Sequence, residues 1–263
     1  MKKLLAILLA SLMIVTCFAG CGKNNDDGKL IMATNANFPP YEYKDGTDYA
    51  GIDVEIAGLI AEKLGLELEI VDIEFGSIVS GVQTGKYDMG MAGMTITDER
   101  LEQVNFSDTY ATGIQSVIVP ADSEYTSFED FYTGFDENGD PTGVKEGIII
   151  GVQQDTTGDI YSSDDVENWG FGSENVIRYK NGADAVEALK TNKVTAVIID
   201  NEPAKSFVSS NTGLKILEGS YTQEDYAICI AKENTELLEK INNILAELKA
   251  SGEIDKIIDK YIK

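Results

Sequence analysis

Twice along this chain, short apolar runs alternate with amphipathic ones in the same order, and that doubled rhythm restricts the fold more than anything else in the sequence. Leu30 to Thr34 reads as a short apolar strand. Asp53 then stands where it can cap a helix whose apolar positions Ile56, Leu59, Ile60 and Leu64 share one face, and Gly65 ends it. Leu66 to Ile73 alternates Leu66, Leu68 and Ile70 against Glu67 and Glu69, which is the pattern of a strand. Ile78 to Thr84 is a helix ended by Gly85, and Tyr87 to Met91 is a buried strand. A second copy begins near Gly147. Ile148 to Val152 is a strand, Thr157 to Val166 a helix, Val176 to Tyr179 a strand, Ala183 to Lys190 a helix and Val194 to Ile199 a buried strand. Thr222 to Ile230 returns as a strand, and helices over about Glu236 to Leu248 and Glu253 to Ile262 close the chain around Ser251-Gly252. Alternation of this kind needs crossover connections, so it predicts an α/β fold with largely parallel sheets.

The first residues stand outside that rhythm. Lys2 and Lys3 precede an apolar run from Leu4 to Val15, too short for a stable membrane anchor but suited to a signal peptide over residues 1–20. The run ends in Phe18-Ala19-Gly20-Cys21, which resembles the lipobox of bacterial lipoproteins, with Phe18 where an aliphatic residue is usual. Cys21 is the expected lipid attachment site, and the polar residues after it read as a flexible tether over 21–29. An ordinary secreted protein with a chance cysteine is the plainer alternative.

Charge and residue absences then exclude function classes. Losing Lys2 and Lys3 leaves 19 Lys and Arg against 45 Asp and Glu, a net charge of −26. Nucleic acid and anionic headgroups are therefore poor partners, and a lipid rather than charge would hold the protein at a membrane. Cys17 leaves with the signal peptide and Cys21 carries the lipid, so Cys229 stands alone and no intrachain disulfide is expected. The chain has no histidine, which removes Ser-His-Asp and Cys-His catalysis and His/Cys zinc sites. Carboxylates, Lys, Tyr or a carboxylate-bound metal remain open for catalysis, though no catalytic residue, metal or cofactor is expected.

Three places carry recognisable chemistry. Ala92-Gly93-Met94-Thr95-Ile96-Thr97-Asp98-Glu99-Arg100 runs from a strand end into a helix that Thr97 can cap. Loose N–H groups, Thr hydroxyls and a guanidinium at such a junction suit a carboxylate, though Arg100 could equally be a solvated surface charge. Gln153-Gln154-Asp155-Thr156-Thr157-Gly158 is a second polar strand end feeding a helix. Asp200 follows a buried strand at its carboxyl end, where ligands of open α/β sheets sit, although it could simply cap the next helix. Together these sites fit a zwitterion clamped between lobes, an α-carboxylate at one and an α-ammonium at the other. Asp136, Asn138 and Asp140 have the one-three-five spacing of a calcium loop. Pro141 replaces the glycine and Gly147 the bidentate Glu that such a loop requires, so a polar surface hairpin is the better reading.

These motifs carry a family resemblance. The chain resembles the polar amino acid-binding proteins of ABC importers, solute-binding protein family 3, which includes the glutamine-binding and lysine-arginine-ornithine-binding proteins. The resemblance runs from Leu30 to Lys263, most specifically in Ala33 to Pro40, Gly51-Ile52-Asp53-Val54-Glu55, Ala92 to Arg100, Asn105-Phe106-Ser107-Asp108 and Gly151 to Thr157. It implies a two-lobed, type II periplasmic-binding-protein-like fold, each lobe a mostly parallel sheet flanked by helices, joined by two crossover strands. Lobe 1 would hold residues 30–112 plus 226–263 and lobe 2 residues 113–225. A monomer lipid-anchored outside the cell would close on an amino acid by hinge motion and present it to an ABC permease with its ATPase.

The resemblance also assigns roles. Arg100 would bind the α-carboxylate, with Thr95 and Thr157 or their N–H groups assisting, and Thr156 is a further ligand-binding candidate. Asp200 and the backbone of Ala92 and Gly93 would take the ammonium, and Phe38 and Phe75 would sandwich the ligand side chain. Many relatives carry an Asp where this chain has Asn35, which weakens the case for a cationic side chain. Gln153 offers a donor and an acceptor. The balance leans to a neutral polar ligand such as glutamine. Asp155, which stands where a Gly is usual, keeps a cationic amino acid open, and cystine remains a further candidate. Rivals of other kinds are a dehydratase on the same scaffold, with Glu42, Asp155 or Asp200 as acid or base, and a sensory ligand-binding module.

Overall fold

The structure is a computed structural model that describes residues 28–219 and 222–262. The signal segment, the lipobox and Cys21 lie outside the described residues. Lys29, which composition placed in the tether, opens the first strand.

The chain begins with β1 (Lys29–Thr34), a small antiparallel sheet of β2 (Asn37–Phe38), β3 (Glu42–Asp45) and β4 (Asp48–Ala50), then helix α1 (Ile52–Leu64) and β5 (Glu67–Asp72). Helix α2 (Ile78–Gln83), β6 (Met89–Gly90), helix α3 (Asp98–Gln103) and β7 (Val104–Phe106) follow. The long strand β8 (Ala111–Pro120) leads away from this part of the molecule. Beyond it come β9 (Ile150–Gln153), α4 (Thr157–Ser163), β10 (Val176–Tyr179), α5 (Gly182–Lys190), β11 (Ala196–Asp200), α6 (Asn201–Ser210) and β12 (Leu214–Ile216). The chain returns through β13 (Thr222–Tyr226) to β14 (Cys229–Ala231) and ends in α7 (Thr235–Ala250) and α8 (Glu253–Tyr261).

Among the described residues these strands form two mixed sheets. One has the order β5-β1-β6-β14-β7, with β5, β1 and β6 parallel and β14 antiparallel to both its neighbours. The other has the order β10-β9-β11-β8-β12; β10, β9 and β11 are parallel, and β8 runs against β11, β12 and β13. Each sheet is thus parallel except for one reversed strand, and β8 and β13 pass side by side between them. The fold is mixed α/β with two lobes.

Packing follows the apolar stripes. Ile52, Ile56, Ala57, Ile60 and Ala61 of α1 are buried with Met32 of β1, and the side chains Ile241, Leu245 and Ile254 of the closing helices join the same core. In the second lobe Val117, Val119, Ile150, Val152, Ala196 and Ile198 pack with Phe131, Tyr132 and Phe171.

Some local expectations are corrected. Thr222 to Ile230 is two strands in two different sheets, because apolar alternation continues through a point where the pairing partner changes. Tyr87 to Met91 contributes only Met89–Gly90 to the sheet, and the helix expected to reach Val166 stops at Ser163, where Asp164 follows in extended conformation. Asp53 does not cap α1. The cap position is Gly51, at φ 128°, where a Cβ would lie 2.1 Å from the Tyr41 carbonyl oxygen. Asp53 is instead buried in the first turn.

Candidate functional site

Strand ends from both lobes converge on a small, tightly closed cavity. From the first lobe its wall takes Phe38, Phe75, Ala92, Gly93, Thr95 and Arg100; from the second it takes Gln153, Thr156, Thr157 and Asp200. Ten of the eleven ligand-binding candidates read from the sequence therefore meet here. Asn35 stands behind the wall: its Nδ2 donates to the Ile73 carbonyl at 2.7 Å, and its Oδ1 accepts from Gln153 Nε2 at 3.1 Å.

Arg100 owes its position to α3. Thr97 caps that helix, its hydroxyl accepting the Arg100 N–H, as the Thr-Asp-Glu-Arg order suggested. The guanidinium is buried, lies 5.2 Å from the Phe75 ring centre and donates to two carbonyls, Thr95 O at 2.7 Å and Asp155 O at 3.1 Å. The second of these bonds crosses between lobes, so Arg100 links them while its other N–H donors remain available to an anion. Burial pulls its pKa below the ordinary value, yet a guanidinium stays protonated at any physiological pH.

The same cavity is lined by a carboxylate, Asp200. Asp200 ends β11 without making a side-chain cap to α6. Its Oδ1 accepts from the Tyr226 hydroxyl and its Oδ2 from Gln115 Nε2 at 2.9 Å. Burial, reinforced by the charge of Glu224, pushes its pKa up to about 7. Beside it, the Gly93 N–H donates to Asp53 Oδ2 at 2.9 Å, which leaves the carbonyls of Ala92 and Gly93 as that segment's contribution to an ammonium. Thr156 caps α4: its hydroxyl accepts the Asp159 N–H and donates to the Gln153 carbonyl. Thr157 opens that helix, whose first-turn N–H groups have no partner within it, and its hydroxyl accepts from Gln115 Nε2 at 3.4 Å.

Residues 30–263 match the model of the bacterial extracellular solute-binding proteins, family 3. The chain belongs to that family. It is 32% identical to the arginine-binding extracellular protein ArtP of Bacillus subtilis (strain 168), an alignment covering 99% of this chain and 98% of that one. Among solved structures, a mutant of the arginine-binding protein of T. maritima superposes with a TM-score of 0.78 at 37% identity, covering 90% of this chain and 96% of the other. An ancestral arginine-binding protein bound to glutamine superposes with a TM-score of 0.77 at 36% identity, covering 89% and 98%. This family 3 chain is thus an extracytoplasmic substrate-binding protein of an amino acid ABC transporter, and a binding protein rather than an enzyme.

Several residues of the family 3 site were not singled out from the sequence. Gln115 on β8 is fully buried and donates from one nitrogen to Asp200 Oδ2 and Glu224 Oε2, each at 2.9 Å. Glu224 on β13 is also buried and accepts from the Thr95 hydroxyl at 3.1 Å. A Gln between apolar residues in Ile114-Gln115-Ser116-Val117 was the available signal. Glu42 and Asp53 form a second buried acidic pair behind Gly93. Asp53 also accepts from the Tyr110 hydroxyl at 2.9 Å, and burial raises its pKa to about 7. Burial and the Asp53 charge hold Glu42 well above the carboxylate range. Glu42 is absent from the cavity wall, so it has no place there as an acid or base.

Asp155 lies outside the cavity as well. It takes φ 64° and lines an outer groove that shares Phe75 and Arg100 with the cavity. Its carboxylate rests on Gly76 of the other lobe, where a Cβ would stand 2.0 Å from Oδ2. The acidic loop closes on itself: Asp136 Oδ1 accepts the N–H groups of Asn138 and Asp140, and Asp140 accepts from the Trp169 indole at 3.3 Å. Among the described residues no group of three or more acidic or Cys side chains is placed to hold a metal ion.

Proposed function

We propose that this protein binds a basic L-amino acid, L-arginine first, as a zwitterion between its lobes and delivers it to an ABC permease. Arg100 takes the α-carboxylate, with Thr157 assisting. Asp200 and the carbonyls of Ala92 and Gly93 take the α-ammonium. Phe38 and Phe75 flank the side chain, and Gln153 meets its polar head, with Asn35 holding Gln153 from behind. The lobes hinge on β8 and β13, close to residues 112/113 and 225/226, and Cys21 carries the lipid that retains the protein on the outer face of the membrane.

The observation that carries the choice of ligand is the charge balance of the cleft. Two buried carboxylates, Asp200 and Glu224, share the Gln115 amide and face one guanidinium, Arg100. A zwitterion adds no net charge, so a neutral amino acid leaves one buried negative charge uncompensated, whereas a cationic side chain offsets it. Glu224 was not visible as part of the site in the sequence, where Asn35 in place of the usual Asp leaned the reading to glutamine. The relatives named for arginine point the same way. Glutamine remains a second reading on one specific feature: Gln153 and Asn35 are neutral amides, and the Gln153 Oε1 is a buried acceptor with no partner, suited to a ligand amide N–H. Calorimetric titration separates the two. L-arginine should bind with a Kd at least about tenfold below that of L-glutamine, a difference of about 1.4 kcal/mol. Glutamine binding as tightly as arginine, or more tightly, would overturn the assignment.

A further inference from the structure

The direction of one hydrogen bond sets what the cleft can accept. Thr95 Oγ1 and Gln115 Nε2 both converge on Glu224 Oε2, at 3.1 and 2.9 Å. An amide nitrogen can only donate and a carboxylate oxygen receives it, so the Thr95 hydroxyl also donates its single proton to Glu224. With that proton committed away from the cavity, Thr95 offers the ligand lone pairs and nothing else. The same side chain therefore cannot donate to the α-carboxylate, the role that the sequence suggested for it.

We propose that Glu224 is a positioning residue that fixes the Thr95 hydroxyl as an acceptor, so that the cleft demands a ligand bearing an α-ammonium. The geometry suits the task. Glu224 sits on the returning crossover strand, is 4% exposed and does not line the cavity itself. It bonds Thr95 of the first lobe and Gln115 of the outgoing crossover strand, and the Tyr161 hydroxyl of the second lobe stands against it. Its anchors come from both lobes and from the other crossover strand, so its carboxylate is placed when the cleft is assembled. Asp200 supplies the negative charge that attracts an ammonium; Thr95, oriented by Glu224, supplies the adjoining neutral acceptor. A deaminated acid would confront both groups with no N–H to give them, and buried acceptors left without donors are costly. The result is rejection of keto acids and simple carboxylates whose side chains would otherwise fit.

The inference rests on the zwitterion reading above, and the test separates the two. Affinity is measured by calorimetry for two ligand pairs, L-arginine with 5-guanidinopentanoate and L-glutamine with glutaramate, in which the second member lacks the α-amino group. The readout is the ratio of Kd values within a pair, which a purely structural defect would leave unchanged. In Glu224→Ala the Thr95 proton is free to turn into the cavity, and the preference for the amino acid should fall at least about tenfold. Glu224→Gln can keep an acceptor oxygen toward Thr95 and Gln115, and should hold the preference within about threefold of the unsubstituted protein. If Glu224→Ala does not fold, Thr95→Val reports on the same acceptor and should lower the ratio comparably. An unchanged ratio in Glu224→Ala, or in Thr95→Val, overturns the role of Glu224; so does a Glu224→Gln variant that falls as far as Glu224→Ala. An unsubstituted protein that binds neither amino acid overturns instead the ligand reading beneath it.

Discussion

Arg100 and Asp200 divide the work of holding a zwitterion, and their different chemistry makes them fail differently. Arg100 contacts the group common to all α-amino acids, so Arg100→Ala should abolish measurable binding of arginine, lysine and glutamine alike in a calorimetric panel; retention of one ligand with the others lost would contradict the assignment. Asp200 should impose a pH dependence. Its pKa is raised to about 7, so below that pH it holds a proton that an incoming ammonium must expel. Affinity should therefore fall by up to about tenfold per pH unit below pH 7 and level off above it, and Asp200→Asn should bind weakly at every pH with no such slope. Proton release measured in buffers of different ionisation enthalpy checks the same step. Much of this was legible from residues: a strand end, a cap and a cation in sequence placed Arg100, and the end of a buried strand placed Asp200. Glu224 was not, because an acid in Thr-Gln-Glu-Asp-Tyr reads as a solvated strand face, and only the pairing with β8 buries it. Asn35 was legible as polar and near the cleft, but its amide is committed to Ile73, a contact between segments distant in sequence.

The two crossover strands show where pattern reading stops. The alternation of strands and helices identified both lobes' parallel cores, since each strand there is a continuous apolar run bounded by helix signals. It did not reveal that Thr222 to Ile230 changes sheets, because a strand that swaps partners keeps its period. The swap has a structural requirement at Gly113, which faces Glu224 across the strand pair. A Cβ there would lie 2.0 Å from the Tyr226 hydroxyl, and that hydroxyl is bonded to Asp200 and buried. Gly113→Ala must displace the Tyr226 ring at the junction of the lobes. Overpacking of this kind costs about 1–3 kcal/mol, so urea denaturation should show a lower midpoint, accompanied by weaker amino acid binding. A variant with wild-type midpoint and affinity would mean that the tyrosine is not held as described.

The balance of charge over the protein favours mild acid for the empty molecule and a neutral pH for its function. Asp53 and Asp200 each titrate near 7 in the fold against an ordinary value of 3.8. A carboxyl whose folded pKa is raised contributes stability that is fully present below its unfolded pKa and is lost as pH rises through the folded one. The window is therefore about pH 4 to 7, and the self-repulsion of a chain with formal net charge −24 acts in the same direction. The ligand-free protein should melt at a higher Tm near pH 5.5 than near pH 8, and Asp53→Asn should flatten that difference; a Tm that rises steadily toward pH 8 would contradict it. The same acidic field should draw a cationic ligand to the cleft, so that association slows as salt is added.

The central claim is that one α-amino acid is held between the lobes, its α-carboxylate on Arg100 and its α-ammonium on Asp200. A crystal structure of the protein grown with L-arginine tests it most directly. The account predicts the α-carboxylate within hydrogen-bond distance of the Arg100 guanidinium, the α-ammonium against Asp200 and the Thr95 hydroxyl, and the side chain between Phe38 and Phe75. An arginine bound in the reverse sense, with its guanidinium at Asp200 and its carboxylate away from Arg100, or bound outside this cavity, would contradict it.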